Sequence, residues 1–318
     1  MRGITFSEFA GGKNVDMFLH APDTLPGTPM QEAVKTAITI REKYTKDIYV
    51  WCDYSVQHMY SQLAMQAFKM ANIDFTAAIP VLSNNLSKRE NDCSIAYCES
   101  RNIPYELFYI DVPELFNGPR FEYWGQHFPT TQPQMTIVGR FFDLLPDCCL
   151  VYPGFMMHVS NSEWTRNKNN GFMPFVPHAT QEHAAAHAGL EYTNFQEHYV
   201  NMYSSWFFTP SYGEVFNLPT QEFVDNAPHR YYQYEMRTIK QAGFDIKATT
   251  QKLIGIELLK SFFGHDKYDK ELRQKLSPYG PLTMKYASLQ YTVKVDTKLK
   301  EMIEKHYENN FEFLNKLF

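Results

Sequence analysis

DIYVWCDYSVQHMYSQLAMQAFKMANIDFTAAIPVLSNNLSKRENDCSIAYCESRNIPYELFYID, residues 47–111, decides the fold. Asp47 to Cys52 is a short apolar and aromatic run cut off by a turn, the pattern of a buried parallel strand. From Ser55 to Ala71 the apolar residues Val56, Met59, Tyr60, Leu63, Met65, Ala67, Phe68 and Met70 recur at helical spacing without Gly or Pro, which predicts an amphipathic helix. Phe75 to Leu82 is apolar again, and Ser87 to Arg101 is a polar helical stretch that carries Asn91 and Asp92. Tyr105 to Asp111 is a third strand. Strand, helix, strand, helix, strand with short connections implies right-handed crossovers and an open, doubly wound, mostly parallel sheet. In such α/β folds the ligand site lies beyond the carboxyl ends of the strands.

Residues 1–28, with Gly11-Gly12, Pro22, Pro26 and Gly27, predict an extended arm on the body or on a neighbour. Pro29 opens a helix through Tyr44. Beyond the third strand, short helical pieces fill Pro113 to Phe128, an amphipathic helix runs from Pro133 to Leu145, and Cys149 to Tyr152 forms a fourth strand. The plan is thus the arm (1–28), an α/β domain (29–155) and a helix-rich region (156–318) that ends in an amphipathic helix over Val295 to Phe318. Within that region, helices are expected over 231–241 and 254–263, each ended by a Gly, with a turn at Pro278 to Pro281.

Charge and composition narrow the function classes. A net charge of -5, from 30 Lys and Arg against 35 Asp and Glu, provides no basic footprint for nucleic acid. No segment has the basic-then-apolar pattern of a signal peptide or the length of a membrane span, so the expected setting is cytoplasmic, with no membrane partner. The 16% aromatic content, 25 Phe and 21 Tyr, fills a core and also suits the centre of a protein interface. Protein partners or a homo-oligomer are therefore expected. The five cysteines, at 52, 93, 98, 148 and 149, show neither a paired CxxC spacing nor an even disulfide set, and reduced thiols are the simplest account.

The turn after the first strand, Cys52-Asp53-Tyr54-Ser55-Val56-Gln57, is where a doubly wound sheet would receive a phosphate. It contains no Gly. Tyr54 is bulky where backbone must approach ligand closely, and the Asp53 carboxylate repels phosphate and can cap the helix in its place, as can Ser55. The topology favours an anion site, whereas the residues argue against one.

The tight turn at 47–57, the Asn91-Asp92 pair on the second helix and the third strand ending in Asp111-Val112 resemble the PP-loop ATP pyrophosphatase superfamily, which includes PAPS reductases, GMP synthetase and asparagine synthetase. Thr131-Gln132-Pro133-Gln134-Met135 resembles that group's Ser-Pro-Gln segment, Pro153-Gly154 its small-residue turn, and Lys252, Gly255, Glu257, Lys260 and Arg273 its C-terminal signature. The chain looks most like stand-alone members from large tailed phages, over residues 45–280. The resemblance implies a HUP-like fold, ATP and Mg as ligands, and a nucleotide site at Cys52, Asp53, Tyr54, Ser55, Gln57, Asn91, Asp92 and Asp111. Yet the superfamily's Ser-Gly-Gly-x-Asp-Ser turn falls on residues 52–57 and retains none of its positions. A C-terminal catalytic thiol is also missing, since no Cys follows Cys149.

One further cluster has ligand character. His183 and His187, in HATQEHAAAH, are four residues apart and would share a helix face, a spacing that suits zinc when a third ligand is supplied. The HExxH arrangement needs Glu directly after the first His, where Ala184 stands, so an Ala-rich helix capped by Thr180 is the simpler reading and no metal is expected.

The expected function is that of a PP-loop-like protein that has lost ATP cleavage and acts as a structural or interaction protein, in a phage particle or an assembly, with no cofactor. The alternative is a nucleotide-dependent enzyme, adenylating or transferring sulfur or amide, whose site has been rebuilt around Asp53, Ser55, Asn91, Asp92 and Asp111.

Overall fold

A computed structural model describes residues 4–6, 14–19, 29–52, 58–128, 133–153, 184–195, 265–279, 290–295 and 297. In chain order its main elements begin with β1 (Ile4–Phe6), β2 (Asn14–Leu19), α1 (Pro29–Lys43) and β3 (Ile48–Trp51). There follow α2 (His58–Met70), β4 (Thr76–Leu82), α3 (Lys88–Ser100) and β5 (Tyr105–Ile110). Then come α4 (Val112–Asn117), α5 (Pro119–His127), α6 (Gln134–Leu144) and β6 (Cys149–Tyr152), and last β7 (Glu191–Asn194), α7 (His265–Leu276) and β8 (Gln290–Val295).

The central sheet has five strands in the order β5-β4-β3-β6-β7, all parallel. The chain steps outward from β3 to β5, returns to lay β6 on the other side of β3, and finishes with β7. The strand order therefore reverses between β3 and β6. This α/β architecture agrees with the sequence periods, and the boundaries of β6 coincide with those expected. The fifth strand comes from the part of the chain expected to be helix-rich, so the sheet reaches beyond residue 155.

Strand alternation sends successive side chains to opposite faces. On one face Trp51, Ala78, Phe108, Ile110, Leu150, Tyr152 and Tyr192 join Phe116, Phe121, Trp124, Phe128, Phe141 and Phe142 of the α4–α6 segment in one buried cluster. Their neighbours Val50, Ala77, Ile79, Cys149 and Val151 are equally buried and point the other way, toward a layer where Ala33, Ala37, Ala64, Ala67 and Phe68 of α1 and α2 are buried. The first layer is built from rings and the second largely from small side chains. Helices thus cover both faces, as two hydrophobic sheet faces require.

Close packing of α5 on α6 depends on Gly139, where an added Cβ would lie 2.1 Å from the Trp124 ring. Asp143 of α6 locks that contact. It accepts hydrogen bonds from Trp124 Nε1 at 3.0 Å and from Arg120 Nε at 2.9 Å, pairs with Arg120 through a second guanidinium nitrogen, and takes a longer contact from Arg140.

Pro80 lies inside β4, although proline cannot donate to a ladder. Its residue faces the β3 side, as Ala78 does when its carbonyl accepts from Cys52 N at 2.9 Å, but β3 pairs with β4 only as far as Ala78. The missing donor therefore breaks no ladder bond. Above that level β4 stands proud of β3, with only β5 beside it.

β2 pairs antiparallel with β1 and parallel with β8, forming a second sheet of three strands. The opening segment, expected as an extended arm on the body or on a neighbour, is in its described parts an antiparallel strand pair joined to β8. α7 was not expected either. Its Leu272 and Leu276 enter the aromatic cluster, and Lys275 Nζ donates to Phe116 O at 3.4 Å. The helices expected over 231–241, 254–263 and 295–318 lie outside the described residues, apart from residue 297 and from Val295, which ends the strand β8 and not a helix.

Candidate functional site

The reversal of strand order places the candidate site between the carboxyl ends of β3 and β6, bounded by Trp51, Cys52, Tyr152 and Pro153. Trp51 closes β3. Its ring stands edge-on to Phe141 at 4.4 Å and to Tyr152 at 5.6 Å, and Tyr152 in turn stacks on Tyr192 at 6.3 Å. The indole is only 5% exposed, yet its Nε1 is buried with no hydrogen-bond partner among the described residues. An indole N–H is a donor only, and a buried donor without an acceptor costs about 1–3 kcal/mol. Such an atom at a strand-order reversal is where an acceptor group of a ligand would be rewarded. Sequence reasoning looked at the turn after the strand and passed over this residue. The signal was there, a Trp at the last strand position before the turn.

Of the residues the resemblance implies, Cys52 is fully buried and its amide donates to Ala78 O, so that N–H is engaged in the sheet. Asp53, Tyr54, Ser55 and Gln57 lie outside the described residues. Asn91, Asp92 and Asp111 are described, and all sit near the ends of β4 and β5.

The structure explains what each of these three does. Asn91 is buried, and its Nδ2 donates to Ser87 Oγ at 2.8 Å. The same hydroxyl oxygen accepts from Leu82 N at 2.9 Å, which satisfies an amide that β3 is too short to reach. Asp92 faces solvent and pairs with Lys88, one helical turn earlier, at 2.6 Å. Asp111 is the N-cap of α4 and accepts from Glu114 N at 2.9 Å, while the adjacent Val112 N donates to Ser83 Oγ at 3.0 Å. Ser83, Ser87, Asn91 and Asp111 thus gather at one end of the sheet, around a turn in which Asn84 and Asn85 both take left-handed φ, 57° and 60°. Asn tolerates that conformation better than most residues with a Cβ.

These described positions do not fit a magnesium triphosphate held in the superfamily's manner. The carboxylate of Asp111 caps its own helix, that of Asp92 is paired on the surface, and the first strand's last amide belongs to the sheet. No step through such a ligand is derived from them.

The remaining predicted positions are scattered. Pro133 caps α6, and its carbonyl accepts from Thr136 N and Oγ1. Pro153 is buried at the end of β6, and Arg273 sits half-buried on α7, while residues 131, 132, 154, 252, 255, 257 and 260 lie outside the described set. His183 does also, and His187 is exposed at the end of a helical turn over 184–187. Among the described residues no group of three or more His, Cys, Asp or Glu side chains is placed to hold a metal ion.

Thiol chemistry finds no support in the β6 pair. Burial, the largest cause, pushes both Cys148 and Cys149 up to about 12, which keeps them protonated at neutral pH. Tyr49 is likewise pushed up to about 12, by burial and then by its hydrogen bond to Glu106. Among the described residues no helix is long and apolar enough to cross a membrane.

Compared with known proteins, the sequence matches no family model and no curated protein.

Proposed function

We propose that this chain is a PP-loop-like, HUP-type α/β protein that no longer cleaves ATP and works as a structural or interaction protein, of the kind expected in a phage particle or assembly. The observation that carries this reading is the engagement of Asn91, Asp92 and Asp111. The side chains expected to serve phosphate and Mg instead hold a loop, a surface ion pair and a helix cap. The turn at 52–57, with Tyr54 where Gly would be needed, points the same way. The aromatic content supports contact with other proteins, since Tyr, Trp and Phe enrich the centres of interfaces.

Calorimetric titration with ATP and Mg, run beside an assay for released pyrophosphate, tests it. Neither binding in the micromolar range nor turnover is expected. Micromolar binding that depends on Mg, or catalytic release of pyrophosphate, overturns the proposal.

One observation favours the second reading, an enzyme with a rebuilt site. Trp51 Nε1 is a buried donor without an acceptor among the described residues, at the point where this topology binds ligands. A nucleotide-dependent enzyme could use it to hold a carbonyl or phosphoryl oxygen. Under that reading, Trp51→Phe weakens nucleotide binding by tenfold or more, about 1.4 kcal/mol.

A further inference from the structure

We propose that His127 and His187 form a two-imidazole site for a divalent transition-metal ion, Zn2+ in the first instance, which ties α5 to the helical turn leading into β7. The two residues are 60 positions apart in the sequence, yet their ring centres lie 4.4 Å apart. His127 ends α5 and is held from three sides. Its ring lies 4.1 Å from that of Tyr123 and 5.7 Å from that of Trp124, and its Nδ1 is 2.8 Å from Tyr123 O. A carbonyl can only accept, so Nδ1 carries the hydrogen, and in the neutral ring Nε2 keeps its lone pair. A ring N–H donated to a backbone carbonyl is the arrangement that orients metal-binding histidines and raises the basicity of the other nitrogen.

The spacing also suits a shared ion. With Zn–N bonds of about 2.0–2.1 Å, two imidazoles on one tetrahedral ion have ring centres roughly 5 Å apart. The observed separation is within about 1 Å of that value. Imidazole nitrogen is a ligand for Zn and its neighbours in the first transition row, which sets the chemical class. Water completes the coordination shell.

The site does not depend on the nucleotide question. It lies on the outer helical layer, and its consequence is mechanical, since an ion there would fasten the segment that delivers the edge strand β7.

The full chain, stripped with chelator and dialysed, would be titrated with zinc chloride by calorimetry and followed by thermal unfolding. One equivalent is expected to bind in the micromolar range and to raise the unfolding temperature, because an ion that binds only the folded state stabilises it by mass action. His187→Gln, at an exposed position, and His127→Gln should each raise the dissociation constant by about tenfold or more and remove the zinc-induced rise. Binding that is unchanged in His187→Gln places the ion elsewhere and overturns the proposal, as does the absence of binding to the unaltered chain. Since His187 is exposed, its variant's result stands even if His127→Gln fails to fold.

Discussion

Two neighbouring parts of one sheet end treat their polar atoms in opposite ways. Beyond β4 and β5, Ser83, Ser87 and Asp111 accept from the amides of Val112, Leu82 and Glu114, and Asn91 donates to Ser87, around a turn with two left-handed Asn residues. Beyond β3 and β6, a buried indole N–H has no acceptor among the described residues, and the described surroundings are rings. The first region is polar but self-sufficient, and the second is apolar but incomplete. A polar cluster on a sheet rim is therefore a poor guide to where a ligand binds. One unsatisfied donor in a dry setting is a better one.

The largest expected effect tests the apolar side of this contrast. Phe141→Ala removes the ring nearest Trp51 from a fully buried position and should destabilise the fold by about 3–5 kcal/mol, measured by chemical denaturation. A loss below about 1 kcal/mol would mean that the ring wall is loosely packed. Next comes the polar side. Ser87→Ala strands the Leu82 amide and the Asn91 carboxamide together, and the expected loss is about 1–3 kcal/mol. A neutral result would show that water already serves those groups and that the rim is not self-sufficient.

Trp51→Phe should have a smaller effect on stability. It keeps most of the buried ring and removes only the orphan donor, so unfolding should shift by less than about 1 kcal/mol in either direction. A larger loss would reveal an acceptor and break the contrast from the other side. The last effect is read only at high pH. Cys148 and Cys149 stand at about 12 against an ordinary 9.0, so their contribution is fully present below pH 9.0, where the thiols stay protonated in both states. As pH rises toward 12 the unfolded chain ionises first, and that contribution is lost. Melting temperatures taken from about pH 8 to about pH 11 should fall more steeply for the unaltered chain than for a Cys148→Ala, Cys149→Ala double variant.

How much of this was legible depended on how far each signal reached along the chain. β3 to β6 and α1 to α6 were readable because each presents its own period: Val50, Trp51 and Cys52 for a buried strand, Leu63, Ala67 and Met70 for a helix. β7 was not. Its four residues, EYTN, have too little pattern to compete with the aromatic run that follows, and only pairing with β6 makes them a strand. α7 hid for a related reason, since only Leu272 and Leu276 are buried in a stretch otherwise made of charged and polar residues. The parallel pairing of β2 with β8 joins segments no window could compare. Of the candidate site, the location at the strand ends was legible from topology. The roles of Asn91 and Asp111 were not, because a side chain that caps a helix and one that serves a ligand look alike until their hydrogen bonds are known.

That pairing of β2 with β8 has a consequence for how the protein is made. Asn14 sits opposite Gln290, 290 − 14 = 276 positions later, so β2 must wait for all of the intervening chain to be made before its partner exists. At about 5–20 residues per second the delay is on the order of tens of seconds, long compared with the microseconds a hairpin needs to close. During that interval β1 and β2 present an unclaimed edge to whatever lies nearby, so protection of this hairpin, by a chaperone or by a neighbouring copy, becomes a problem of synthesis before it is one of stability.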